Sequence, residues 1–293
     1  MSSVFVGISP TPVEVPPVVS ALASRLRSGA TVIPVWRNEY GGLTVRLEAG
    51  CARRSSYLKW VPDDAPCPDP LAEADRLVWA ASFIPVPRVL DVGRDPDGSW
   101  LLTAAVEVGG TTAASAIEPR WRALAARSAI AVGVGLRRFH DALPTDTCPF
   151  VRTARTRVAV LSAAPTAPLS AADRTTTAVA LGVPPPVDRA VVCHGDATVS
   201  NTLLDQAGRF AAHVDVGDLG VADRWSDIAV ATRSVTRRYG PGLEPLVLAA
   251  YGVAPDHERT TYYRALWDAE EVARTRTRAT HLAASAGQRR RAS

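Results

Sequence analysis

Apolar and polar positions alternate at helical spacing over residues 16 to 28 and stop at Gly29, which predicts a short leading helix. The period then changes. Residues 31 to 36, 43 to 47 and 56 to 60 are strand-like runs separated by Tyr40-Gly41-Gly42 and by residues 50 to 55, a pattern that predicts an antiparallel meander. Helical spacing returns over residues 71 to 80, and residues 89 to 92 and 100 to 103 are strand-like again around Asp95-Pro96-Asp97-Gly98. From about residue 118 the chain turns helical, with Trp121, Leu124, Ile130, Val134, Leu136 and Phe139 recurring until Leu143-Pro144 ends the run. Residues 144 to 188, rich in Pro, Ala and Thr, predict only short helices and loops. Beyond them come an apolar strand, Ala190-Val191-Val192, and two apolar runs about a turn at 206 to 208. Helical stretches follow at 226 to 239, 243 to 251 and 256 to about 278. No internal repeat is present.

The order of elements predicts an α+β chain in two parts: a small antiparallel β lobe with one main helix over residues 1 to 106, then a larger, mainly helical lobe over residues 107 to 293. Its last stretch, from about residue 279, reads as a basic, flexible tail ending in Arg289-Arg290-Arg291.

Composition narrows the classes. At 293 residues and 47% hydrophobic, the chain can fill a sizeable core. No apolar run approaches the roughly 18 residues of a membrane-spanning helix, and Met1-Ser2-Ser3-Val4-Phe5 lacks the basic start of a signal peptide, so the expected compartment is the cytoplasm. Cys51, Cys67, Cys148 and Cys193 include no C-x-x-C pair, which points to reduced thiols rather than a zinc site. A net charge of +4, concentrated partly in the tail, gives no reason to expect a nucleic-acid partner. Lys59 is the only lysine among 33 Lys and Arg residues, a sign that an ammonium rather than a guanidinium is required there.

The chemistry concentrates in His194-Gly195-Asp196-Ala197-Thr198-Val199-Ser200-Asn201, followed fourteen residues after Asn201 by Asp215. A hairpin folded about residues 206 to 208 brings its open ends together, so Asn201 and Asp215 are expected side by side as two oxygen donors suited to Mg2+. Asp196, at the start of the loop, is left to hold a substrate hydroxyl and take its proton. Asp, Asn and Gly are also ordinary turn formers, but the two spacings together with the apolar strand leading into the loop favour a phosphoryl-transfer site. Upstream, Gly41 and Gly42 allow close backbone approach to phosphates. Lys59 ends the third strand, and Glu73 falls in the following helix, where it can direct the ammonium.

With these residues in place the chain resembles the aminoglycoside phosphotransferases, most closely the 3'-phosphotransferase group, over roughly residues 30 to 270. The likeness rests on Tyr57-Leu58-Lys59, Glu73, Pro85-Val86-Pro87, Leu136-Arg137-Arg138-Phe139-His140, Cys148-Pro149-Phe150, Cys193-His194-Gly195-Asp196, Asn201, Asp215 and the segment from Gly220 to Ala229. It implies a bilobal protein-kinase-like fold and transfer of the γ-phosphoryl group of ATP to an aminoglycoside hydroxyl, with the 3' position expected. GTP is left open as donor. It further implies Asp196 as base, Asn201 and Asp215 as Mg2+ ligands, Lys59 with Glu73 as the phosphate-positioning pair, and a hinge where the backbone of Ala104 to Val106 bonds the base. His194 is expected to shape the loop, His140 to pack at a helix end, and Asp223 and Asp227 to serve structure at a helix start.

The likeness is weakest on the acceptor side. Asp218 stands where the family commonly has Arg. The segment Thr232-Arg233-Ser234-Val235-Thr236-Arg237-Arg238 carries positives where acids are usual, and like charges would repel a polycation. Asp268, Glu270 and Glu271, with Arg233, are the candidates for substrate contact. The rival readings are a kinase of another small alcohol (a sugar, macrolide or choline-like metabolite) and a regulatory pseudokinase. The expected assembly is a monomer or weak dimer that uses a small-molecule substrate and neither nucleic acid nor membrane.

Overall fold

The computed structural model describes residues 13–38, 41–48, 55–63, 65, 68–163 and 181–292, with side chains to residue 274. Tyr40, Cys51, Cys67 and much of the Pro-, Ala- and Thr-rich stretch lie outside the described residues.

The chain opens on α1 (Pro17–Leu26), whose proline occupies the first turn, where no intrahelical donor is needed. Strands β1 (Thr31–Arg37), β2 (Leu43–Glu48) and β3 (Ser56–Pro62) form the predicted meander. Helix α2 (Pro70–Ala80) begins one residue before the predicted start, because Pro70 sits at N1 and the Asp69 carboxylate accepts from Leu71 N at 3.0 Å. The chain returns through β4 (Val89–Asp95) and β5 (Gly98–Ala104), and β5 inserts between β3 and β4 to give the antiparallel order β1-β2-β3-β5-β4.

Alternation along β3 decides what each face holds. Leu58 points to one side, where Val45, Leu47 and Leu102 meet Val19, Leu22 and Ala23 of α1. Lys59 points to the other, the side of α2. There Ala74, Leu77 and Leu101 form a common cluster with Phe139, Val192, Val216 and Leu219 from the second half of the chain, so α2 is packed against both halves.

Three short strands not evident in the sequence follow: β6 (Glu107–Val108), β7 (Thr111–Thr112) and β8 (Ala114–Ser115). The helical region opens with a 3-10 turn at Pro119–Leu124 and continues as α3 (Ala125–Ala142). Next come α4 (Ala154–Ala163), β9 (Ala190–Cys193), a 3-10 turn at Val199–Asn201, β10 (Thr202–Leu204), β11 (Phe210–His213) and β12 (Gly220–Asp223). Helices α5 (Trp225–Tyr239), α6 (Glu244–Tyr251) and α7 (His257–Ala292) complete the chain. Trp121, Leu136, Ile228, Tyr251 and Leu266 share the core between them.

Two element bounds differ from those expected. The hairpin turn spans residues 205 to 209 rather than 206 to 208, since the Asp205 carboxylate accepts from Ala207 N and Arg209 N and draws both flanking residues into it. Helix α7 runs past the expected end near residue 278 to Ala292, in a stretch free of proline.

Candidate active site

Lys59 carries its ammonium into the space between the sheet and the second half of the chain. Its Nζ lies 2.6 Å from Glu73 Oε2 and 2.5 Å from Asp215 Oδ1. Glu73 is held by the buried face of α2, with Ala74, Leu77 and Ala80. Burial opposes the charge on Lys59, but the Asp215 and Glu73 carboxylates outweigh it and keep the ammonium above its ordinary range. The same contact holds the Asp215 carboxyl below its ordinary range. Three residues from β3, α2 and the end of the hairpin therefore converge on one point.

The loop from His194 to Asn201 is fixed from beneath by Asp227. Its Oδ2 accepts from His194 N at 2.5 Å and lies 3.0 Å from His140 Nε2, while its Oδ1 accepts from Gly195 N at 3.0 Å. The Tyr251 hydroxyl lies 2.8 Å from His140 Nδ1. Burial pushes the Asp227 carboxyl up, yet the His140 hydrogen bond and its companions prevail and hold it at about 2. His194 turns inward: Asp196 N donates to its Nδ1 at 3.2 Å, so its Nε2 carries the hydrogen that faces Val214 O at 3.0 Å. Gly195 is required where it stands. Its φ of +89° is left-handed, and a Cβ there would fall 2.3 Å from the Asp218 carbonyl oxygen.

Asn201 and Asp215 meet as the hairpin spacing predicts. Thr202 pairs with His213, and Val214 N donates to Asn201 O at 3.0 Å, which leaves Asp215 just beyond the paired end. Asp215 has φ +62°, the only positive φ outside glycine among the described residues. The Asn201 amide donates to Asp196 Oδ2 at 2.9 Å and Asp196 O at 3.0 Å, so its carbonyl Oδ1 is the end available to a cation. The Asn201 and Asp215 oxygens, with Asp196 and Asp218 nearby, are an oxygen-only, predominantly anionic set that fits Mg2+. A second cluster, His140, Cys193 and Asp227, is compact enough for a metal, its ligand atoms lying within 4.8 Å of one another. Both ring nitrogens and both carboxylate oxygens there already have hydrogen-bond partners, so it reads as a support for the loop.

Desolvation, and after it the negative charge of Asp215, pushes the Asp196 carboxyl up to about 7; Asp218 and Glu271 add to the shift and Arg274 opposes it. In the metal-free protein, carbon-13 NMR is expected to show this carboxyl titrating near 7. Replacing Asp215 with Asn removes a raising charge and should lower that value; a midpoint unchanged by the substitution would contradict the assignment.

The hinge expectation is refined. Ala105 N donates to Ser55 O at 3.0 Å, which makes residues 55 and 105 the bonded pair and turns both polar groups of Ala104 to the opposite edge. There Arg88 O takes the Ala104 amide at 2.9 Å, and the Val106 carbonyl accepts from Ala113 N at 2.8 Å. The Ala104 carbonyl and the Val106 amide are therefore the groups left for a base edge. For Gly41 and Gly42 the described contacts lie within their own region of the sheet: Gly41 has φ +92°, Asn38 Oδ1 accepts from Gly42 N at 2.7 Å, and Pro62 lies alongside.

The acceptor-side candidates fare differently. Asp268 pairs with Arg233 at 2.7 Å, and Glu271 with Arg274 at 3.1 Å. Glu270 is not an open carboxylate: Arg157 Nε and Nη2 hold its two oxygens, each at 2.8 Å, with Arg152 at 3.6 Å. Arg157 and Arg152 were not identifiable from sequence, where nothing local distinguishes them from the other arginines. Asp223 precedes its helix, accepting from Trp225 N at 3.0 Å and Asp188 N at 3.0 Å, in keeping with a structural role. Asp227 lies in the first turn of α5 but serves the catalytic loop rather than the helix end.

A sheet carrying a lysine-glutamate pair above a loop and hairpin bearing Asp196, Asn201 and Asp215 is the arrangement of a protein-kinase-like transferase. The chain belongs to the phosphotransferase enzyme family, whose model matches residues 42–284. It is 34% identical over 222 residues to the aminoglycoside 3'-phosphotransferase of Streptomyces fradiae, covering 66% of this chain and 77% of that one. The crystal structure of an aminoglycoside 3'-phosphotransferase of type VIII superposes with a TM-score of 0.70 at 30% identity, over 86% of this chain and 97% of that one. An aminoglycoside phosphotransferase of Streptomyces rimosus, solved with ADP and streptomycin, is 25% identical with a TM-score of 0.59, over 87% of this chain and 99% of that one.

Proposed function

We propose that this protein is an aminoglycoside O-phosphotransferase, a determinant of antibiotic resistance that moves the γ-phosphoryl group of ATP to an aminoglycoside hydroxyl. The 3' position is the favoured site. The observation that carries the reading is the convergence of Lys59, Glu73 and Asp215 at 2.5 to 2.6 Å beside a loop in which Asn201 holds Asp196. Relatives named for this activity support the acceptor class.

In this reading residues 1 to 106 form the nucleotide lobe, and residues 107 to 293 carry the catalytic loop and acceptor pocket. The Ala104 carbonyl and Val106 amide meet the base. Lys59, oriented by Glu73, neutralises phosphate charge. Asn201 Oδ1 and Asp215 would hold Mg2+, which when bound would offset charge on the nucleotide phosphates. The Asp196 carboxylate, oriented by the Asn201 amide, accepts a hydrogen bond from the acceptor hydroxyl. As that oxygen bonds to the γ-phosphorus, the bond from γ-phosphorus to the bridging oxygen breaks, ADP leaves, and the hydroxyl proton passes to Asp196. The protein works in the cytoplasm, where ATP is available, as a monomer or weak dimer. No helix among the described residues is long and apolar enough to cross a membrane.

The test is ADP release measured with kanamycin, neomycin and a panel of sugars, macrolides and amino alcohols. Turnover is expected with at least one aminoglycoside, dependent on Asp196. Turnover confined to the other alcohols would overturn the acceptor class and leave the phosphotransferase standing, and ATP binding without turnover on any of them would favour a regulatory pseudokinase.

A further inference from the structure

The charged groups beyond Asp196 do not form an anionic pocket. Asp218 lies 3.3 Å from Arg152 and 4.0 Å from Arg274. Glu270 is clamped by Arg157, Glu271 is met by Arg274 and Asp268 by Arg233. Each of these four acids thus has an arginine within ion-pair distance. A further cation, Arg237, lies over the Trp267 ring at 5.2 Å, and Arg233 lies over the same ring at 5.5 Å. Among the described residues no carboxylate reaches ion-pair distance of Arg237. Burial, and then the like charge of Arg233, disfavour its guanidinium. Trp267 lies one helical turn before Glu271 on α7, and Arg274, which meets Glu271, also lies 4.0 Å from Asp218, whose carbonyl borders Gly195 of the loop, so this group stands on the Asp218 side of the catalytic loop.

An ammonium group entering this region meets two costs that a hydroxyl does not. It must compete with an arginine already seated on each acid, and it comes close to a guanidinium that none of the described carboxylates pairs directly. A hydroxyl can donate to the same carboxylates and accept from the guanidinium without disturbing either pair. Resting on the aminoglycoside reading above, we propose that Arg237, stacked on Trp267, is a specificity-determining residue that makes the enzyme favour acceptors with few ammonium groups over more highly aminated ones. Asp268 is half exposed, so solvent screens the discrimination and keeps it moderate.

The experiment compares kcat/KM for neomycin and paromomycin, a pair in which one amino group is exchanged for a hydroxyl, using wild-type enzyme and the Arg237→Glu and Arg237→Gln variants. Wild type is expected to favour the hydroxyl member by roughly 2- to 5-fold, a preference that shrinks as salt is raised. Arg237→Glu should abolish or reverse it, with Arg237→Gln in between, while KM for ATP stays unchanged. Equal kcat/KM for the two acceptors in wild type, or a preference retained in Arg237→Glu, overturns this inference alone. Phosphorylation of neither acceptor by any of the three proteins also overturns the inference, and turnover of kanamycin by the same wild-type sample then shows that the aminoglycoside reading stands.

Discussion

Replacing Asp196 with Ala is expected to lower kcat by roughly 10²- to 10⁴-fold, the range for loss of a positioned general base, while the Kd for ATP changes little. The separation follows from the hydrogen bonds. Asp196 is tied to Asn201 and, through its backbone amide, to His194, whereas the proposed nucleotide-facing groups Lys59, Glu73 and Asp215 bind one another. Stopped-flow or coupled-assay kinetics and calorimetric ATP titration on the same sample give the two numbers. Loss of ATP binding, or activity near wild type, would remove Asp196 from the role assigned to it. The Asp196→Asn variant is a useful companion, since it keeps the size of the side chain and loses only the charge.

The second large effect is expected at Asp227, which is completely buried. Truncation to Ala strands the His194 and Gly195 amides and the His140 imidazole in a site closed to water. Breaking a buried charged hydrogen-bond network of this kind costs about 3 to 5 kcal/mol. Denaturant unfolding should therefore show a marked fall in midpoint, and any folded fraction should have reduced kcat through a loosened loop. The sign with pH is also set: the carboxyl is held at about 2 in the folded protein, so its contribution is present above the ordinary carboxylate range and is lost as the pH falls toward about 2. Asp227→Asn keeps one acceptor oxygen and should fall between wild type and Ala. Wild-type stability in the Ala variant would show that the loop is held by other means.

These two aspartates also separate what could be seen in the chain from what could not. Asp196 stood out because its meaning lies in short spacings: a strand, a loop, an amide five residues on, and a hairpin returning to Asp215. Asp227 sat three residues inside a helix start, where a carboxylate has an ordinary local explanation, and its partners at His194 and Gly195 are 33 and 32 residues away. Its signal in the sequence was the family likeness over residues 220 to 229, which marked the segment without showing what the carboxylate holds. At Gly41 and Gly42 the described contacts, to Pro62 and Asn38, are those of a turn.

The sequence by itself determined the order of the main strands and helices, their expected division into two parts, and the candidate set Lys59, Glu73, Asp196, Asn201 and Asp215. Each of these rests on a local period or on a spacing of a few residues, and backbone geometry converts such spacings directly into position. Only the tertiary structure decided how each acid is paired. Glu270 looked like its neighbours Asp268 and Glu271, yet it is clamped by Arg157 from 113 residues away. Charge in a folded protein is a property of pairs, and those pairs form between elements that no local pattern relates.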